Sequence, residues 1–65
     1  MELLLQNIRN SRNISLRELS SQTGLEKAAI SNFETGKSSP TLKQLESIAK
    51  ALDCKISDLY ESEYK

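Results

Sequence analysis

The residue types that catalyse reactions or hold metals are scarce in this chain. Histidine is absent, which removes the side chain that most often serves as a general base near neutral pH and as a ligand of transition metals. Cys54 is the single cysteine, and its apolar neighbours Leu52 and Ile56 predict a buried thiol in a reducing compartment. We therefore expect no enzyme activity, no metal site, no cofactor and no small-molecule ligand.

A second kind of chemistry is available between residues 27 and 35. Ile30 and Phe33 have the spacing of a buried helix face, and the opposite face of that helix is short or polar. The residues of this polar face are Lys27, Ala28, Ser31, Asn32 and Thr35. Asparagine can bond adenine, lysine can donate to guanine, and an alanine methyl can meet the methyl group of thymine. The face suits the base edges of a DNA duplex, although Ser31 and Thr35 are equally typical of an ordinary solvated helix surface.

The elements that must position these side chains belong to one small domain. The chain has 65 residues, of which 37% are hydrophobic and 28% charged, a composition typical of a globular domain. Its apolar runs are far too short to span a bilayer and no signal peptide is evident, so we expect a cytoplasmic protein with no membrane partner. We predict a single domain over residues 1–65, with its core over about residues 4–60 and frayed residues from 61 to 65.

The second helix has the clearest boundaries. Ser15 and Glu18 form a capping box, which predicts a helix over residues 16–23, and Gly24 supplies the left-handed residue that ends it. A turn of only about three residues then leads to the helix that carries the polar face, and two helices joined by so short a turn cross steeply. The third helix therefore projects from the body, and the pair is a helix-turn-helix.

The other helices follow from apolar periodicity. A first helix is expected over residues 2–11, and a fourth begins at the capping box of Thr41 and Gln44. The fourth helix is expected to turn one apolar face to the core, made of Leu42, Leu45, Ile48, Ala49 and Leu52. Ile56 and Leu59 indicate a short final helix. The predicted fold is all-α, a compact bundle of five helices.

Three stretches of this sequence resemble a known family. They are ISLRELSSQTGL at residues 14–25, ISNFETGK at residues 30–37, and PTL at residues 40–42. These stretches are similar to the Cro/repressor-type helix-turn-helix domain, the lambda-repressor-like or XRE-type family, and the resemblance covers about residues 4–60. It implies that residues 26–35 form the recognition helix of a protein that binds double-stranded DNA. It also implies a structural ion pair of Arg9 and Glu34, between the first helix and the end of the recognition helix.

Phosphate contacts are expected around the recognition helix, because backbone N–H groups at helix N-termini and nearby basic or hydroxyl side chains bind anions. The candidate residues are Ser15, Arg17, Lys37, Ser38, Ser39 and Lys43. Ser15 has the competing role of a helix cap, and Lys43 that of ordinary surface charge. For Thr41 we favour capping over phosphate contact.

Three residues depart from the pattern of the family. Leu16 stands where many relatives have a glutamine that touches phosphate, so that contact is lost or replaced by apolar contact with the sugar backbone. Glu26 stands where relatives have a serine or threonine cap, and we expect it to cap the recognition helix unless it accepts from a cytosine amino group. Asp53 replaces a glycine after the fourth helix, a position where aspartate tolerates a left-handed backbone.

The charge is balanced overall but not along the chain. Nine basic and nine acidic residues cancel, whereas residues 9–43 hold six basic against three acidic residues, and residues 46–65 hold three against five. A basic surface is the usual mark of DNA binding. The predicted DNA-facing side is thus basic, but its field is weak, and we expect modest nonspecific affinity with a shallow salt dependence.

The expected function is that of a bacterial or phage-type transcriptional regulator, in particular a repressor that binds a symmetric operator as a homodimer. The expected dimer surface contains Leu59, Tyr60 and Tyr64, although Leu59 is equally suited to closing the core. An alternative is a protein-interaction module of the same fold, such as an antitoxin or a partner of a regulator. Loss of DNA binding would then explain both Leu16 and the weak charge field.

Overall fold

Helices make up most of the chain in the computed structural model, which describes residues 2–64. The four α-helices are α1 (Leu5–Ser11), α2 (Leu16–Thr23), α3 (Lys27–Thr35) and α4 (Leu42–Leu52). A 3-10 helix (Ile56–Leu59) follows α4, and a short antiparallel sheet pairs β1 (Glu2–Leu3) with β2 (Tyr60–Glu61). Every helix among these residues is too short or too polar to traverse a bilayer.

The prediction of five helices is wrong, because the chain after α4 forms only one 3-10 turn before it becomes extended. In that turn the Asp58 N–H donates to the carbonyl of Lys55 at 3.0 Å. At Tyr60 the backbone is already extended (φ −145°, ψ 159°), and Tyr60 pairs with Leu3 of β1. The strand pairing supplies the hydrogen-bond partners that a longer helix would have supplied. The prediction of a purely α-helical fold missed this sheet.

The same sheet delays the start of α1, which begins at Leu5 and not at residue 2. The N–H of Leu4 donates to the carbonyl of Leu59 at 2.8 Å, so the backbone before α1 is bonded to the end of the chain. Strands of two residues are too short to show the alternation by which a strand is recognised in a sequence.

The two predicted capping boxes are confirmed. The Ser15 hydroxyl accepts from the Glu18 N–H at 3.1 Å, and α2 spans the predicted residues 16–23. At α4, the Thr41 hydroxyl accepts from the Gln44 N–H at 3.1 Å, and the Gln44 side chain accepts from the Thr41 N–H at 2.8 Å. Each cap of this kind stabilises a helix by about 1 kcal/mol.

The core forms where α1, α2, α3, α4 and the 3-10 helix meet. Its buried side chains are Leu5, Leu19, Ile30, Phe33, Leu45, Ile48, Ala49, Leu52 and Leu59. Leu42 was expected on the core face of α4 but is 73% exposed. The apolar stripe of α4 continues to the first residue of the helix, whereas the packed core ends one turn later, at Leu45.

Candidate nucleic-acid interface

The turn between α2 and α3 is fixed by backbone geometry and two hydroxyl groups. Gly24 adopts the left-handed conformation (φ 76°, ψ 3°), and a Cβ built there would meet nothing within 4 Å, so the backbone angle and not the space calls for glycine. The Ser20 hydroxyl donates to the carbonyl of Leu25, and the Thr23 hydroxyl accepts from the Leu25 N–H at 3.2 Å. No motif in the sequence pointed to this role of Ser20, although hydroxyls near helix ends commonly bond the backbone in this way.

One face of α3 is buried and the other is open. Ile30 and Phe33 are 0% and 5% exposed, and α3 packs chiefly on α2, which in turn packs on α4. Of the predicted base-contacting residues, Lys27, Ala28, Asn32 and Thr35 are exposed and Ser31 is half-buried. No described residue covers the open face, which is therefore available to a partner.

The basic side chains around α3 are exposed and unpaired. Arg17, Lys27, Lys37 and Lys43 form no ion pair with any residue between 2 and 64. Arg17 lies in the first turn of α2, Lys37 just beyond the end of α3, and Lys43 in the first turn of α4. These guanidinium and ammonium groups are free to meet an anionic ligand that approaches the open face.

The predicted hydroxyl contacts to phosphate divide into two groups. Ser38 and Ser39 are exposed in the loop after α3, and the backbone there is held by Asn32, whose carbonyl accepts from the N–H groups of Lys37 (2.9 Å) and Ser38 (3.3 Å). The Ser15 hydroxyl is also exposed but is already engaged in its capping box with Glu18. Within residues 2–64, the hydroxyl groups of Ser38 and Ser39 have no such engagement.

Arg9 and Glu34 join α1 to the last turn of α3. The Arg9 Nε donates to Glu34 Oε2 at 2.9 Å, and a second guanidinium nitrogen lies 3.4 Å from Oε1. A third contact, from the Arg9 guanidinium to the carbonyl of Ile14 at 2.9 Å, ties in the loop before α2. The two side chains are 11% and 6% exposed, so the pair is largely removed from solvent. It fixes the last turn of α3 to α1 and to the loop before α2.

Glu26 and Leu16, which both depart from the family pattern, have different surroundings in the structure. Glu26 occupies the N-cap position of α3, but its side chain accepts no hydrogen bond from the helix, so the expected cap is wrong. The carboxylate is exposed instead. Leu16, at the first position of α2, is half-buried and packs on the edge of the core, which gives it a structural role whether or not DNA is bound.

The three residues expected at a dimer surface lie at different depths. Leu59 is 0% exposed and lies in the core of the single chain, which is the role that the sequence left open for it. Tyr60 is half-buried in β2, and Tyr64 is 89% exposed. A partner at the C-terminal end of the chain could contact Tyr60 and Tyr64 but not Leu59, because the Leu59 side chain is not exposed.

A family model described as the Cro/C1-type HTH DNA-binding domain matches residues 5–64. The chain belongs to this family. The match agrees with the observed helix-turn-helix of α2 and α3 and includes the open face of α3. It identifies this Cro/C1-type domain as a member of a DNA-binding family on evidence independent of the geometry.

Solved structures with this fold include two regulators. An HTH_3 family transcriptional regulator from Vibrio cholerae is 42% identical, with a TM-score of 0.77 over 82% of this chain. The clp gene regulator ClgR from C. glutamicum is 26% identical, with a TM-score of 0.79 over 83% of this chain. The chain spans 30% of the first regulator and 70% of the second. No curated protein sequence matches the chain.

Proposed function

We propose that this domain is the DNA-reading part of a transcriptional regulator that inserts α3 into the major groove of its operator. The observation that carries the proposal is the open polar face of α3, which follows a fixed turn and is flanked by unpaired basic side chains. The second helix of a helix-turn-helix lies in the major groove with its N-terminal residues at base edges. Membership of the Cro/C1-type family supports the same placement.

Each exposed residue of α3 has a chemical partner in the groove. We assign the Asn32 amide to adenine, the Lys27 ammonium to guanine, and the Ala28 methyl to thymine. Ser31 and Thr35 act as further base contacts from the same face. Because Ile30 and Phe33 anchor the helix from behind, these side chains keep a fixed spacing along the groove.

Phosphate contacts set the orientation of the domain on the duplex. In this proposal Arg17 contacts the backbone from the first turn of α2, Lys37 from the loop after α3, and Lys43 from the start of α4. The hydroxyls of Ser38 and Ser39 donate to phosphate from the loop after α3. Ser15 contacts phosphate from the start of α2, where its hydroxyl is also part of the capping box. With so few cations the electrostatic part of the affinity is modest, and base contacts carry a larger share of specific binding.

We further propose that the domain binds a two-fold symmetric operator as a homodimer and acts as a repressor. One recognition helix reads only a few base pairs, whereas two copies on half-sites about 34 Å apart read enough sequence to be specific. Tyr60 and Tyr64 provide aromatic surface at the end of the chain for this contact. Sedimentation equilibrium with and without a duplex that carries two half-sites measures the dimer directly.

A second candidate function is a protein-interaction module of the same fold. It is favoured by Leu42, whose side chain is 73% exposed at the start of α4 and offers apolar surface to a protein partner. The balanced charge of the chain points the same way, since nonspecific DNA binding depends on positive charge.

A salt titration separates the two functions. Fluorescence anisotropy of a labelled random-sequence duplex should give a log–log salt slope of a few units if the basic side chains meet phosphates. Selection from a random duplex pool should then enrich one motif. A flat, negligible response to salt, together with no enriched motif, would favour the interaction module and overturn DNA reading.

A further inference from the structure

Among the acidic side chains between residues 15 and 43, the carboxylate of Glu26 differs from the others in its contacts. From residue 15 to residue 43 the acidic residues are Glu18, Glu26 and Glu34. Glu18 closes the capping box with Ser15, and Glu34 is paired with Arg9. Glu26 makes neither kind of contact: it is exposed, and within residues 2–64 it has no hydrogen bond or ion pair from its side chain. Within residues 2–64, the side chain of Glu26 therefore has no hydrogen bond or ion pair that would stabilise the fold.

This unpaired carboxylate lies at the N-terminal end of the open face of α3. Glu26 is the N-cap of α3 and directly precedes Lys27 and Ala28, both exposed. In a helix-turn-helix the residues at this end of the recognition helix contact base edges. Phosphate repels a carboxylate, so in the proposed complex Glu26 is better accommodated facing a hydrogen-bond donor than facing phosphate, and the fixed donors of the groove lie on the bases. The neighbouring ammonium of Lys27 offsets the repulsion from flanking phosphates.

We propose that Glu26 is a specificity-determining residue that accepts a hydrogen bond from the N4 amino group of a cytosine in each half-site. This inference rests on the proposed function and extends it. A carboxylate can only accept, and the major groove offers amino donors on cytosine and adenine. In an A·T pair the adenine amino group lies between two acceptors, its own N7 and the O4 of thymine, whereas in a G·C pair the cytosine amino group has an acceptor on one side only, the O6 of guanine, so a carboxylate is repelled less there. The chemistry therefore selects cytosine, and Lys27 is placed to donate to the guanine of the same or the adjacent pair.

The test compares three variants with the parent chain by selection from a random duplex pool and by anisotropy on single-base variants of the selected site. Glu26→Ala removes the acceptor, and Glu26→Gln replaces it with an amide that can bond adenine N6 and N7 together. Glu46→Gln is the matched control, because it removes the same charge from an exposed residue that lies on α4 and not on the open face of α3. Melting curves check that all three variants keep the fold, as expected where no side-chain bond is lost.

The parent chain should prefer cytosine at one position of each half-site by roughly 5- to 100-fold over other bases. Glu26→Ala should lose that preference, Glu26→Gln should move it toward adenine, and Glu46→Gln should keep it. A selected motif whose base preferences are the same in Glu26→Ala as in the parent would overturn the role of Glu26 and leave DNA reading intact. If the parent chain selects no motif at all, the proposed function itself is overturned and the inference falls with it.

Discussion

A substitution of Asn32 is the best test of whether the exposed residues of α3 contact bases or are simply exposed to solvent. The Asn32 side chain is exposed, while its carbonyl holds the loop after the helix through the Lys37 and Ser38 N–H groups. A change confined to the side chain therefore leaves the loop in place. The side-chain amide has no hydrogen bond within residues 2–64, so it can form the paired hydrogen bonds that identify adenine in the major groove.

Asn32→Ala should relax the base preference at one position per half-site, because the adenine amide pair is lost. The expected loss is about 1 to 3 kcal/mol of discrimination, read from anisotropy on single-base variants of the operator. Asn10→Ala is the matched control, since Asn10 is exposed on α1, away from the helix-turn-helix. An unchanged preference in Asn32→Ala would remove Asn32 from the interface.

The ion pair of Arg9 and Glu34 makes a prediction about stability. Arg9→Met should lower the free energy of unfolding by about 3 kcal/mol, because it strands the largely buried Glu34 carboxylate. Arg9→Met with Glu34→Leu should recover most of that loss, since an apolar pair leaves no uncompensated charge. Urea unfolding measures both variants, with Arg12→Met as an exposed control. Equal stability of Arg9→Met and the parent would show that the ion pair does not contribute to the free energy of unfolding.

Ionisation of Cys54 should make the stability of the folded domain depend on pH in the alkaline range. Burial raises the pKa of the Cys54 thiol above its ordinary value of 9.0, and Asp58 and Asp53 add to the rise against the opposing effect of Arg12. The thiol ionises more readily in the unfolded chain than in the folded one, so its contribution is present below pH 9.0 and is lost as the pH rises through the folded pKa. Thermal melts from pH 7 to pH 10 should therefore fall more steeply for the parent than for Cys54→Ala. Parallel curves would contradict the shift.

At the scale of elements, the sequence predicted what local chemistry determines. The capping boxes of Ser15 with Glu18 and of Thr41 with Gln44 marked two helix starts to the residue, and Gly24 marked the turn. The pairing of β1 with β2 was missed because it depends on contact between the two ends of the chain and not on any local pattern. Leu42 and Glu26 were misjudged for a related reason: periodicity and position do not show where the core ends or whether a cap bond forms.

At the scale of elements, substitution of Gly24 tests the turn between α2 and α3. Gly24→Ala should lower the free energy of unfolding by about 1 to 2 kcal/mol, because alanine resists the left-handed backbone and no clash contributes. Gly24→Asn should lose less, since asparagine tolerates that conformation. Urea unfolding measures the difference, with Ser21→Ala on the exposed side of α2 as the control. A loss in Gly24→Asn as large as in Gly24→Ala would show that the turn does not depend on backbone freedom.

At the scale of the whole molecule, charge is arranged by position even though it cancels in total. The exposed cations Arg17, Lys27, Lys37 and Lys43 lie between residues 17 and 43, whereas residues 46–65 hold three basic against five acidic residues. In the proposed complex the duplex is attracted by the first segment and repelled by the second. This asymmetry orients the encounter in spite of the zero net charge.

The asymmetry predicts that cations contribute to DNA binding according to where they lie. Lys37→Ala should weaken binding about equally for all sequences and reduce the log–log salt slope by about 1, because one phosphate contact and its released counterion are lost. Lys50→Ala removes the same charge from the last turn of α4 and should leave the slope unchanged. Anisotropy on one duplex across a range of salt concentrations measures both. Equal changes of slope in the two variants would mean that only net charge matters and that the domain has no preferred DNA-facing side.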